Sequence, residues 1–197
     1  MEITLFGRTF YFLTERRQFE KLFDYVYDYW FSNPISIFSL ILMLSITISI
    51  LVLNRASKNS GLQTRRSQQI HRILLALYTL ALYLLLVISR DTGTREWRHI
   101  AISDYLAGDS GFHESEILIA ALYILYFIPF GILLRKVIPS QKKWQSILLI
   151  LACTSAFGIF IELSQYILAR GITYIGHILA YTIGALLGSF GDGGTNQ

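Results

Sequence analysis

Five stretches of the chain, residues 35–53, 73–89, 117–134, 147–168 and 172–190, are apolar almost without interruption. Each is near the length of about 20 apolar residues with which a helix crosses the hydrocarbon core of a bilayer. A soluble helix would show a polar stripe of period 3.6. The run Tyr78-Thr79-Leu80-Ala81-Leu82-Tyr83-Leu84-Leu85-Leu86 has no charged position at all. The pattern predicts an all-α integral membrane protein with about five transmembrane helices. Upstream, residues 15–31 read as an amphipathic helix. Phe19, Leu22, Phe23, Val26, Tyr27 and Trp30 recur at spacings of three and four, with Arg16, Arg17, Glu20, Lys21, Asp24 and Asp28 mostly opposite. Such a segment lies in the interface plane or packs on the other helices, and Asn33-Pro34 ends it. The expected organisation is therefore an N-terminal interfacial segment over 1–34, a transmembrane bundle over 35–190 and a disordered tail over 191–197. No long internal repeat and no signal peptide are expected, because the first span starts only at Ile35 and no A-x-A site follows it.

Composition agrees. The 197 residues are 53% hydrophobic and 15% charged, whereas a soluble domain averages about 25% charged. None of the 17 Lys and Arg, and of the 13 Asp and Glu only Glu162, falls inside the five stretches. A charge at mid-bilayer costs about 2.5–3.5 kcal/mol on the insertion scale, so this exclusion reads as selection for lipid. The net charge of +4 would suggest nucleic acid in a polar chain. Here it reads as a topology signal, and no nucleic-acid partner is expected. The 54–72 loop (Arg55, Lys58, Arg65, Arg66, Arg72) and the 135–146 loop (Arg135, Lys136, Lys142, Lys143) carry no acid, while the 90–116 loop mixes three Arg with six acids. Short basic loops stay cytoplasmic, which puts the C-terminus inside and the 90–116 loop outside. A single cysteine forms no internal disulfide.

Glu162 is the most informative residue, since an ionisable side chain within a span is a functional candidate by default. Gln165 shares its helix face at i+3 and Gly158 at i−4. In the last span Thr173, His177 and Tyr181 form one stripe, and Gly176, Ala180, Gly184 and Gly188 an adjacent stripe of small residues. That second stripe suits close approach of another helix, including one from a membrane-protein partner. The hairpin Ala169-Arg170-Gly171 is so short that the last two helices run antiparallel side by side. Glu162 lies eight residues before Arg170 and His177 seven after it. Both then sit roughly 10–12 Å from the turn at 1.5 Å per residue, which opens a hydrogen bond or ion pair to them. That pair either handles protons or satisfies two buried polar groups. Pro129 and Gly131 interrupt the third span, as a kink or at a cavity. In the 90–116 loop Arg95 and Arg98 suit a phosphate or carboxylate head group, and Trp97 suits the interface. His99, Asp104, His113 and Glu114 have no spacing that supports a metal site. Phosphate-binding Gly-rich loops, H-E-x-x-H, G-x-S-x-G and paired-Cys patterns are absent from the sequence, so no metal and no cofactor is expected.

Over about residues 73–190 the chain resembles the VanZ-like membrane protein family. Phe127-Ile128-Pro129-Phe130-Gly131-Ile132-Leu133-Leu134, Ile161-Glu162-Leu163-Ser164-Gln165, and Arg170-Gly171 leading to Thr182-Ile183-Gly184-Ala185-Leu186-Leu187-Gly188 fit its F-x-P-F-G-x-L-L, I-E-x-x-Q and R-G…N-T-x-G-x-x-x-G patterns in order. An Arg-bearing outer loop, here with Arg95 and Arg98, also fits. The chain departs in the last helix, where Tyr174 and His177 stand in place of Asp and Tyr181 in place of Asn. The family's named member is associated with low-level resistance to teicoplanin, a glycopeptide acting on cell-wall precursors. The resemblance implies a multi-pass protein of a bacterial plasma membrane with an envelope-related role. The candidate polar cluster is Glu162, Gln165, His177 and Tyr181, capped by Arg98 and Arg170, for a lipid-linked or anionic head group. Rival expectations are a structural subunit of a membrane complex and an enzyme on a lipid carrier using Glu162 or His177 as acid and base.

Overall fold

The computed structural model describes residues 2–5, 8–11, 24, 27, 33–60, 65–92, 97–98, 114–138, 143–170 and 173–190. Most of the expected amphipathic segment 15–31, residues 99–113 of the outer loop and the tail 191–197 lie outside them. Five helices make the bundle: α1 Pro34–Ser60, α2 Arg65–Tyr83, α3 Glu114–Val137, α4 Lys143–Leu168 and α5 Ile175–Phe190. A π-helical turn, Leu84–Ile88, prolongs α2. Short extended pieces accompany them: a hairpin of β1 (Glu2–Leu5) and β2 (Arg8–Tyr11), and a two-residue parallel ladder of β3 (Trp97–Arg98) with β4 (Thr173–Tyr174).

Four helices are long and apolar enough to cross a membrane, over Pro34–Arg55, Ser67–Ile88, Ile119–Val137 and Trp144–Leu168, and α5 is a shorter apolar helix. The α1 helix shows how the pattern sorts itself. Asn33 caps it, its Oδ1 accepting from the Ile35 amide at 2.9 Å, and Pro34 takes the first helical position, where its missing N–H removes nothing. Ser36, Ser39, Met43, Ile46 and Ile50 recur at three and four and are buried, while Ile37, Phe38, Ile41, Leu44, Ile48, Leu51 and Val52 are exposed. An outward face of Ile, Leu and Phe is what lipid accepts and water does not.

The backbones of α3 and α5 approach closely. A Cβ on Gly184 would lie 2.3 Å from the Ile124 carbonyl oxygen, one on Gly188 2.0 Å from that of Ile128, and one on Gly131 2.0 Å from that of Ala185. The register 124 to 184 and 128 to 188 makes the two helices parallel. The glycines let the backbones meet. This corrects the expectation of a partner surface at Gly176, Ala180, Gly184 and Gly188. Gly184 and Gly188 are filled by α3 of the same chain, Ala180 is buried, and Gly176 makes room for the Tyr174 ring, which a Cβ would meet at 2.6 Å. The helix also runs through Pro129 unbroken, and Phe130 and Gly131 are buried. The proline segment thus serves packing on α5. Beneath it, Phe127 stacks on Tyr181 with centroids 4.5 Å apart, and Phe130 on Phe157 at 5.6 Å. Tyr78 of α2 donates its hydroxyl proton to the Tyr126 carbonyl of α3 at 2.8 Å.

Candidate functional site

The hairpin between α4 and α5 sets the site. α4 ends where Ala169 takes a positive φ of 51°. The Ala169 amide donates to the Tyr166 carbonyl (3.2 Å) and the Arg170 amide to that of Gln165 (2.9 Å). These are the paired bonds of a Schellman cap, with alanine where glycine is usual. Arg170 bridges Thr92, and Thr173 and Tyr174 lie parallel to Trp97 and Arg98. That ladder is why α5 begins at Ile175 and not at 172. Sixteen residues at about 1.5 Å each reach roughly 24 Å, less than a full hydrocarbon core.

The extended entry aims donors at Glu162, which is 1% exposed. Its Oε2 accepts from the Tyr174 amide at 2.7 Å. Its Oε1 accepts from the Tyr181 hydroxyl at 3.1 Å and faces His177 Nδ1 at 3.2 Å. A buried carboxyl needs such partners, because desolvation is otherwise uncompensated. The imidazole side chain is 16% exposed and stands between two phenol rings, Tyr123 at 4.7 Å and Tyr174 at 4.9 Å, both nearly perpendicular. With Nδ1 donating to the Glu162 carboxyl the ring's orientation is fixed, and Nε2 is the atom left to accept a proton and, once protonated, to donate to an anion.

Of the residues singled out in the sequence, Glu162, His177 and Tyr181 come together. Gln165 and Arg170 turn instead toward the end of α2. Gln165 Nε2 donates to the Leu86 carbonyl at 2.7 Å, and Arg170 donates to the carbonyls of Ile88 and Arg90, the latter at 3.0 Å. Arg170 therefore caps a helix terminus and does not cap the Glu162 carboxyl. Arg98 is brought beside the site through its backbone, paired with Tyr174. His99, Asp104 and His113 lie outside the described residues. Among the described residues no group of three or more His, Cys, Asp or Glu is placed to hold a metal ion.

Three residues outside the candidate cluster expected from the sequence belong here. Tyr174 contributes its backbone amide. Tyr123 lines both His177 and Tyr181, the latter at 5.2 Å. Arg90, placed by the sequence at the start of the 90–116 loop, is 4% exposed and reaches the Tyr123 hydroxyl with Nη2 at 3.5 Å. Its position directly after an apolar run was the one available signal.

The chain matches the family described as VanZ/LLP1 over residues 36–191, a stretch that takes in the five helices, but for the first two residues of α1, and the whole site. No curated protein and no solved structure gives a match.

Proposed function

This chain belongs to the VanZ/LLP1 family, and on that premise we propose that it is an envelope protein whose Glu162 cluster binds an anionic, lipid-linked head group and modulates its fate. The observation that carries this reading is a carboxyl 1% exposed, at the end of a membrane-capable helix, holding an imidazole that keeps some access to the surroundings. Evolution removes charge from spans unless it has work there. In this reading the acid-free loops 54–72 and 135–146 and the tail face the cytoplasm of a bacterial plasma membrane, and the 90–116 loop, with Arg98 beside Tyr174, faces outward. The head group then meets His177 and Arg98 from the outer leaflet, and Gln165 and Arg170 keep the floor of the site in place.

The test is Glu162→Gln and Arg98→Ala at equal expression, read as retention of anionic lipid by the purified protein and as cellular sensitivity to envelope-directed antibiotics. Both variants are expected to lower retention and change sensitivity. Wild-type behaviour of both variants in both assays overturns the reading. One observation favours a second reading, an enzyme on a lipid carrier: a carboxylate on Nδ1 of a histidine is the arrangement that makes Nε2 a general base. Turnover of a polyprenyl or phospholipid substrate with a pH–rate profile abolished in His177→Gln would establish it. The structural-subunit reading keeps one of its two motives: Gly184 and Gly188 are filled from within the chain, but Tyr174 and His177 still stand where the family pattern has acids.

A further inference from the structure

His177 has one nitrogen engaged and one left over. Nδ1 faces the Glu162 carboxyl at 3.2 Å. That carboxyl already accepts from the Tyr174 amide and the Tyr181 hydroxyl, so it acts as an acceptor and Nδ1 carries the imidazole proton. Nε2 then holds the lone pair, and no hydrogen bond from a described residue engages it. The His177 side chain keeps 16% exposure, against 2% for that of Glu162. Tyr123 and Tyr174 set their rings nearly perpendicular to the imidazole, at 81° and 80°, and both are buried. They leave the ring little room to turn. His177 is also the third residue of α5. Helical side chains lean toward the N-terminus, so the imidazole leans over a first turn whose amides lack intrahelical acceptors and whose dipole favours negative charge. A lone pair fixed in direction, backed by a carboxylate and reachable from outside, is the makeup of a nucleophile.

We infer that His177 Nε2 is a nucleophile toward phosphorus, and that its substrate is a polyprenyl diphosphate whose terminal phosphoryl group it takes. The inference rests on the anionic, lipid-linked head group proposed above and turns the enzymatic reading into one reaction. The Nε2 lone pair forms an N–P bond to the terminal phosphorus. The P–O bond to the bridging oxygen breaks, and its electron pair leaves on the lipid monophosphate. The imidazole then bears the phosphoryl group on Nε2 and its proton on Nδ1, a cation that the Glu162 carboxylate neutralises. Water next attacks the phosphorus, the N–P bond breaks and its electron pair returns to Nε2. Inorganic phosphate departs with both protons of that water, and nothing is oxidised or reduced. The site favours a diphosphate over a phosphate monoester. A monoester expels an alkoxide, which needs a proton from a general acid. Among the described residues no group of three or more His, Cys, Asp or Glu forms around the pair, and the Tyr181 hydroxyl is buried and donates to Glu162. A lipid monophosphate is a stable anion and leaves without a proton.

The experiment takes the full chain in phosphatidylcholine nanodiscs and supplies farnesyl diphosphate radiolabelled in its terminal phosphate. Wild type is expected to release inorganic phosphate. Quenched in alkali during turnover, it should also retain label in a bond stable to base and lost in acid, the signature of a phosphorylated histidine. Peptide mass spectrometry should place that label on His177. Glu162→Gln should slow labelling about a hundredfold or more, since the neutral amide no longer balances the cation on the ring. His177→Gly should neither label nor release phosphate, and added imidazole should restore release by taking the phosphoryl group in the vacated space. The wild-type peptide map stays decisive if a variant does not fold. Phosphate release with no label on His177 makes the histidine a general base and overturns the inference, and so does label on another residue. Neither release nor label overturns it too. The binding reading then stands if Glu162→Gln and Arg98→Ala still lower retention of anionic lipid, and wild-type retention and antibiotic sensitivity in both variants overturn it as well. Inorganic pyrophosphate is run in parallel. Much slower labelling than from farnesyl diphosphate supports a lipid-linked substrate, and labelling as fast overturns that assignment.

Discussion

Replacing Gly188 with alanine places one methyl group where α5 meets α3. Its Cβ would lie 2.0 Å from the Ile128 carbonyl oxygen, 2.9 Å from the carbonyl carbon and 3.1 Å from the Ile132 amide nitrogen. All three are backbone atoms, so no rotamer change relieves the overlap. The helices must part by more than about 1 Å to reach ordinary contact, and overpacking of this kind costs about 1–3 kcal/mol. The separation also weakens the close Cα–H···O contacts of the interface, about 0.5–1 kcal/mol each. Against this, alanine is favoured over glycine in a helix by about 1 kcal/mol. A net loss of about 1–2 kcal/mol lowers the unfolding midpoint by roughly 2–8 °C for a chain of this size. Near-ultraviolet circular dichroism of the detergent-solubilised protein, which follows the buried tyrosines, would read it. The structure also fixes an order. Gly131→Ala, 2.0 Å from the Ala185 oxygen, and Gly184→Ala, 2.3 Å from the Ile124 oxygen, should behave like Gly188→Ala. Gly158→Ala should be much milder, because its Cβ meets the Tyr181 ring edge at 3.0 Å and Ile178 side-chain atoms from 3.4 Å. An unchanged midpoint in Gly188→Ala, or Gly158→Ala as the most damaging of the four, would refute the packing argument.

Other substitutions probe the remaining supports. Ala169→Gly should raise stability by up to about 1–2 kcal/mol, since glycine takes the left-handed cap without a Cβ penalty; a lower midpoint in the same melt would contradict the Schellman assignment. Tyr78→Phe removes the donor to the Tyr126 carbonyl and should cost about 0.5–1.5 kcal/mol, measured by the same unfolding assay, with no loss if that bond is absent in the membrane. Arg170→Ala withdraws the charged donor from two carbonyls at the end of α2 and should speed amide exchange at Ser89 and Arg90; exchange at the wild-type rate would contradict its capping role.

The spans were legible because lipid forbids charge, and that rule is local: each apolar stretch could be read alone. The meeting of Glu162 with His177 was legible for another reason. A three-residue hairpin leaves only an antiparallel pairing, and counting residues from the turn then fixes depth. What escaped was whatever depends on a neighbour. The π turn after Tyr83 inserts one residue without altering hydrophobic periodicity, so Arg90 looked like the start of a loop when its side chain turns inward. Arg170 looked like a head-group ligand, because the carbonyls it caps belong to α2, eighty residues upstream. The glycine stripe announced close helix packing without saying that α3 was the helix. The start of α5 was set three residues late by a ladder with Trp97 and Arg98, and no pattern in 172–174 records that pairing.

The proposed site depends on the carboxyl of Glu162 and the imidazole of His177 acting as a joined pair. A double-mutant cycle on unfolding free energy, from Glu162→Gln, His177→Leu and the double variant, measures that link directly. Contact at 3.2 Å predicts a coupling of about 0.5–3 kcal/mol, and effects that add within about 0.3–0.5 kcal/mol would contradict it.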